Sequence, residues 1–136
     1  MIKELKNNFM QVSFVTTVWI VLLATVFLPN QQIQIMDSWR ILGIGTLFGI
    51  TFGIVYPYLW NYSTFKAPVN ILISTLVNVS CGLGGLLLYS LTLFQFIQPY
   101  IIPIIILTCI GHIIGFYFYS KYENRQLAKT LNMKLK

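Results

Sequence analysis

Charge is what this chain has least of. Only 9% of its 136 residues are Asp, Glu, Lys or Arg, against about 25% in soluble domains, so a solvated globular surface is excluded. Acid is scarcer still. Glu4, Asp37 and Glu123 are the three carboxylates, and none falls within a long apolar run. This leaves no carboxylate pair for general acid–base chemistry and no acid to complete a Ser-His constellation. His112 is the single histidine, and Cys81 and Cys109 lack metal-ligand spacing, so no metal site, disulfide or other cofactor is expected. Gly82, Gly84 and Gly85 lie mid-run and are read as packing positions, not as a phosphate-cradling loop. The chain is not expected to be an enzyme.

What is abundant is apolar. Hydrophobic residues make up 57% of the chain and the mean hydropathy is +0.75, which places it among integral membrane proteins. Four uncharged runs match the roughly 20 residues that cross a bilayer: 9–28, 41–60, 70–94 and 101–119. The first is longer than the apolar core of a secretory signal, and Pro29-Asn30-Gln31-Gln32 offers no small-residue cleavage site. It reads as a retained helix. Pro29–Arg40 is a polar connection with Trp39 at an interface, and 61–67 is a turn with Lys66. Pro68 and Pro103 suit first helical turns. The expected fold is all-α: one four-helix transmembrane domain over 1–136 with a basic tail at 120–136.

Basic residues set the orientation. With the N-terminus inside, Lys3, Lys6, Lys66, Lys121, Arg125, Lys129, Lys134 and Lys136 all fall on the cytoplasmic side, and Arg40 alone falls outside. The positive-inside rule therefore predicts that both termini are cytoplasmic. Clustered at segment ends, these residues read as topology and lipid contacts, so no direct nucleic-acid binding is expected. Tyr56, Tyr58, Trp60 and Tyr62 at the inner end of the second run read as an aromatic interface belt.

The remaining polar and small residues mark helix contacts. Gly45, Gly49 and Gly53 recur at four-residue spacing, as do Gly111 and Gly115. Such grooves let backbones approach closely, either within the bundle or between two copies of the chain. In the third run Asn70, Ser74, Asn78, Cys81, Gly82 and Gly85 share an arc of about 120° at about 100° per residue. His112 shares a face with Thr108 and Tyr119, and an intramembrane ionisable residue is a functional candidate. A hydroxyl or amide such as Asn78 or Thr108 could satisfy it structurally. The deep interior of every run lacks Asp, Glu, Lys and Arg. This argues against small multidrug-resistance-type exporters, which depend on a membrane-embedded Glu. In the tail, Leu127, Leu131 and Leu135 recur every four residues among Arg125, Lys129, Lys134 and Lys136. That pattern gives a basic amphipathic helix for anionic headgroups or for a groove on a cytosolic partner.

Phe52-Gly53, Lys66 through Leu76, and the ending Tyr122 to Lys136 with its Asn132-Met133-Lys134-Leu135-Lys136 finish carry a resemblance. The layout resembles a family of small bacterial membrane proteins encoded beside LytTR-type DNA-binding regulators, a family of unknown function. The resemblance implies a protein of the bacterial cytoplasmic membrane that restrains a partner regulator. It departs at one place: relatives often carry a histidine early in the third span, where this chain has Asn70 and Ile71. The alternative expectation is a small transport, channel or immunity protein acting as a bundle or homodimer.

Overall fold

The computed structural model describes residues 1–27 and 34–134. Among these residues there are helices and short connections but no strand. α1 spans Ile2–Phe27. α2 runs as an α-helix over Ile35–Phe48 and continues through π-helical turns at Gly49–Val55 and Tyr58–Tyr62, forming one 28-residue helix, Ile35–Tyr62. α3 spans Ala67–Tyr89, α4 Leu91–Ile97, and α5 Ile101–Lys134. A 3-10 turn, Gln98–Tyr100, joins the last two. Four helices are long and apolar enough to cross a membrane: α1, α2, α3, and the run from α4 into α5.

The helices exceed the uncharged runs for a physical reason. Once nucleated, each added residue contributes a backbone hydrogen bond, so helix continues past the apolar boundary into Lys3 and Glu4 in α1 and into Asp37 and Arg40 in α2. Asp37 closes a capping box at the start of α2, where its carboxylate accepts from the Gln34 amide at 3.1 Å. Residues 29–33 of the expected connection lie outside the described residues, as do Leu28, Leu135 and Lys136.

The third run is not one helix to Phe94. Ser90 is extended (φ −159°, ψ 122°), and its hydroxyl accepts from the Leu93 amide at 3.3 Å. Serine competes well for this role because its oxygen satisfies an amide that the helix start leaves free. α3 therefore stops at Tyr89, and α4 begins one residue later. Ser90→Ala is expected to cost about 1 kcal/mol, read as a small drop in the unfolding midpoint of the purified protein in micelles. An unchanged midpoint would show that the break does not depend on the cap.

The principal contacts follow chain order: α1 packs on α2, α2 on α3, and α3 on α5. Gly45, Gly49 and Gly53 form the seam for α1. A Cβ on Gly45 would meet Thr17 Oγ1 and the Ser13 carbonyl. On Gly49 it would meet Ser13 Oγ and the Phe9 ring. On Gly53 it would lie 2.6 Å from Phe9 Cα and 2.8 Å from Phe9 N. Lipid gives no hydrophobic drive between helices, so association depends on this close approach. The two outer helices are the open ones. No α1 residue is buried, and His112 is the one buried residue of α5 among those described.

One end of the bundle gathers the α1 start, the α2 end, the α3 start and the middle of α5. Tyr62 donates to the Glu4 carboxylate, and Tyr119 donates to Asn61 Oδ1 at 2.7 Å. Lys3, Lys6, Lys66 and Lys121 belong to this end. From here α5 continues as unbroken helix, exposed from Lys121 to Met133.

Candidate functional site

The buried polar residues converge between α2, α3 and α5, and His112 is their centre. It is 7% exposed, and Thr75 is 3% exposed. The Thr75 hydroxyl carries one proton, which it donates to the Ile71 carbonyl at 2.8 Å. It can therefore only accept from the ring, so His112 Nδ1, at 3.0 Å, is the protonated nitrogen. Nε2 of the neutral ring is then an acceptor, and the Tyr56 hydroxyl donates to it. The Tyr56 oxygen in turn accepts from Asn78 Nδ2 at 2.7 Å. This assigns one direction to the whole chain: Asn78 to Tyr56 to His112 to Thr75 to the Ile71 carbonyl. Each hydroxyl and ring nitrogen in it has a partner, as a polar group in a dry interior requires.

A second layer lies one to two turns nearer the Lys66 end. Asn70, 5% exposed, donates to the Leu59 carbonyl at 3.0 Å and accepts from the Ser63 hydroxyl at 3.1 Å. Ser74, 1% exposed, faces Trp60 Nε1 at 3.5 Å. Asn70 thus ties the end of α2 and the turn after it to the first turn of α3. The same region of α2 is π-helical. Pro57 has no amide to donate, and its ring would clash with the carbonyl four residues back. A wider turn removes that clash, and because the helix ends at Tyr62 the Leu59 carbonyl lies in its last turn, open to a side chain.

An aromatic ridge on α2 carries the contact to α5. Phe48, Phe52, Tyr56 and Trp60 follow one another at four-residue spacing, with centroids 5.7, 5.1 and 5.9 Å apart. Tyr56 meets the His112 ring edge-on at 5.4 Å, while Trp60 meets Phe116 at 6.0 Å and Tyr119 at 5.1 Å. Edge-on geometry sets a positive ring edge against a negative face.

Several sequence-level assignments change on these contacts. The Tyr56 and Trp60 side chains turn into the bundle. They face α3 and α5, whereas Tyr58, half a turn away, is exposed. The side-chain partners of His112 are Tyr56 and Thr75. Asn78 reaches the ring only through Tyr56, and Thr108 offers its main-chain carbonyl, not its hydroxyl. The four-residue spacing of Phe48, Phe52, Tyr56 and Trp60 aligns them along the helix, but Phe48 and Phe52 are exposed, so the spacing by itself did not mark Tyr56 as inward. Thr75 had no signal either, because a threonine in an apolar run ordinarily bonds its own helix.

The glycines also divide. A Cβ on Gly85 would lie 3.9 Å from Ile44 Cγ2 and one on Gly115 3.5 Å from Trp60 Cη2, but a Cβ on Gly82 or Gly111 would meet nothing within 4 Å. The tail residues Arg125, Leu127, Lys129 and Leu131 are exposed on α5, as is Lys66 at the start of α3. Lys134 closes α5, and Leu135 lies outside the described residues. No group of three or more His, Cys, Asp or Glu able to hold a metal occurs among the described residues.

Comparison with protein-family models, with curated proteins and with solved structures gave no match.

Proposed function

We propose that this chain is a non-enzymatic regulatory protein of the bacterial cytoplasmic membrane. In this reading both termini face the cytoplasm, and the α5 extension holds a cytosolic LytTR-type DNA-binding regulator at the membrane. One observation carries the reading: α5 is a single helix from Ile101 to Lys134. At 1.5 Å per residue it is about 50 Å long, well beyond the roughly 30 Å hydrocarbon core. Its exposed portion therefore continues, without a hinge, the helix that carries His112. The orientation rests on the basic end described above, and the class of regulator rests on the family resemblance of the sequence.

A leucine edge flanked by cations suits a groove with an apolar floor and an acidic rim. Lys129→Glu, Lys134→Glu and Leu131→Asp, combined in one variant, are expected to release the regulator while the protein stays in the membrane fraction. Transcripts of the neighbouring operon should then rise to the level of a clean deletion. Unchanged transcripts at normal protein abundance would overturn tail docking.

The second reading, a small transport, channel or immunity protein, draws on the directed hydrogen-bond chain through His112. It expects Asn78→Leu to alter a solute flux or toxin sensitivity without changing transcription. Purified protein that is inert in liposomes would count against it.

A further inference from the structure

A shallow groove of about 650 Å³ lies on α5 where the helix leaves the bundle, with Ile71 of α3 at its margin. Its two ends differ in chemistry. Ile113 and Phe116 line the end nearer the bundle centre, while Ser120, Lys121, Asn124 and Arg125 line the other. Lys121 Nζ lies 5.8 Å from the centroid of the Tyr117 ring, which tethers one cation at the rim. Glu123 is the acidic residue nearest in sequence. It lies about 200° around the helix from Lys121 and is not part of the lining. No acidic side chain lines the groove among the described residues.

We infer that this groove binds one anionic diacyl phospholipid of the leaflet at the basic end. Ile113 and Arg125 are twelve residues apart, which is about 18 Å along the helix. Half of a hydrocarbon core of about 30 Å is about 15 Å. The uncharged run ends at Tyr119, so the groove runs from about 9 Å inside that boundary, part-way into the leaflet, to about 9 Å beyond it, at headgroup level. An acyl chain lies along Ile113 and Phe116, and the phosphate meets Lys121 and Arg125 with hydroxyl and amide support from Ser120 and Asn124. Arginine offers a planar fork to phosphate oxygens and lysine a point charge. A soluble acidic peptide would satisfy the cations but leave the apolar end of the groove unfilled. This inference does not depend on the regulatory reading, because the tail test changes Lys129, Leu131 and Lys134 and leaves this groove intact.

The test is lipid retention in native mass spectrometry. The full chain is released from nanodiscs containing equal phosphatidylglycerol and phosphatidylcholine. The wild type is expected to keep one phosphatidylglycerol in preference to phosphatidylcholine. Lys121→Gln with Arg125→Gln should reduce that retention about tenfold or more, and Lys129→Gln with Lys134→Gln should leave it unchanged. Lys121, Arg125 and Lys129 are exposed on α5, and matching circular dichroism of the two variants is the check on folding. Equal loss in both double variants would make the attraction a diffuse property of the basic tail and overturn the site. Equal retention of phosphatidylcholine, or displacement by soluble glycerol 3-phosphate, would overturn it too.

Discussion

Gly53→Ala is expected to lower the unfolding free energy of the purified protein in mixed micelles by about 2 kcal/mol. The same change at Gly82 should be neutral or slightly stabilising. The contrast comes from what each new methyl group would meet. At Gly53 it would sit 2.6 Å from Phe9 Cα and 2.9 Å from the Asn8 carbonyl carbon. Main-chain atoms cannot rotate away, so α1 would have to separate from α2 along its N-terminal half. At Gly82 nothing lies within 4 Å, which leaves only the helix propensity that favours alanine. Denaturation by added SDS, followed by circular dichroism, would measure both variants. Equal shifts would show that the seam between α1 and α2 does not depend on backbone contact. Gly49→Ala should resemble Gly53→Ala but be milder. There the methyl would meet the Ser13 hydroxyl and the edge of the Phe9 ring, both side chains that can turn.

The second large effect is expected at His112. Replacing it with Leu removes the acceptor for the Tyr56 hydroxyl and the side-chain donor to Thr75. Both hydroxyls would remain in an interior without water to replace the ring. Hydrogen bonds between membrane helices are worth about 1–2 kcal/mol in model peptides and less in intact proteins. We therefore expect a loss of about 1–2 kcal/mol for His112→Leu. Tyr56→Phe should cost less in the His112→Leu background than in the wild type, with a coupling of about 1 kcal/mol. Additive effects would mean that the two side chains do not interact. The direction of the chain can be checked separately. Nitrogen NMR of labelled histidine should show a protonated Nδ1 and an unprotonated Nε2. The opposite tautomer would reverse the roles of Tyr56 and Thr75.

Together these experiments separate two uses of polarity in the chain. The glycine seam holds α1 to α2, while the His112 chain and the Asn70 contacts hold α2, α3 and α5 in register. If the regulatory reading is right, the connection between them is α5 itself. The helix that supplies His112 to the core also supplies the exposed leucines and cations of the tail. A variant that loosens the His112 chain would then change regulator release without touching a tail residue, which a passive tether would not do.

Composition and spacing by themselves determined the membrane class, the four apolar helices and the clustering of cations at segment ends. Those properties depend on summed transfer free energy and on helix geometry, which local sequence contains. The same geometry put Gly45, Gly49 and Gly53 on one face, and Asn70, Ser74 and Asn78 on another. It could not choose the neighbour of either face. Only the tertiary structure assigned Phe9, Ser13 and Thr17 to the first glycine groove and left Gly111 open. It also drew Tyr56 inward, paired His112 with Thr75, and ended α3 at Ser90. The reason is physical. Lipid accepts any large apolar side chain, so the apolar positions that dominate the chain hold almost no information about partners. Which polar group meets which is a property of two helices at once, and helical spacing describes only one.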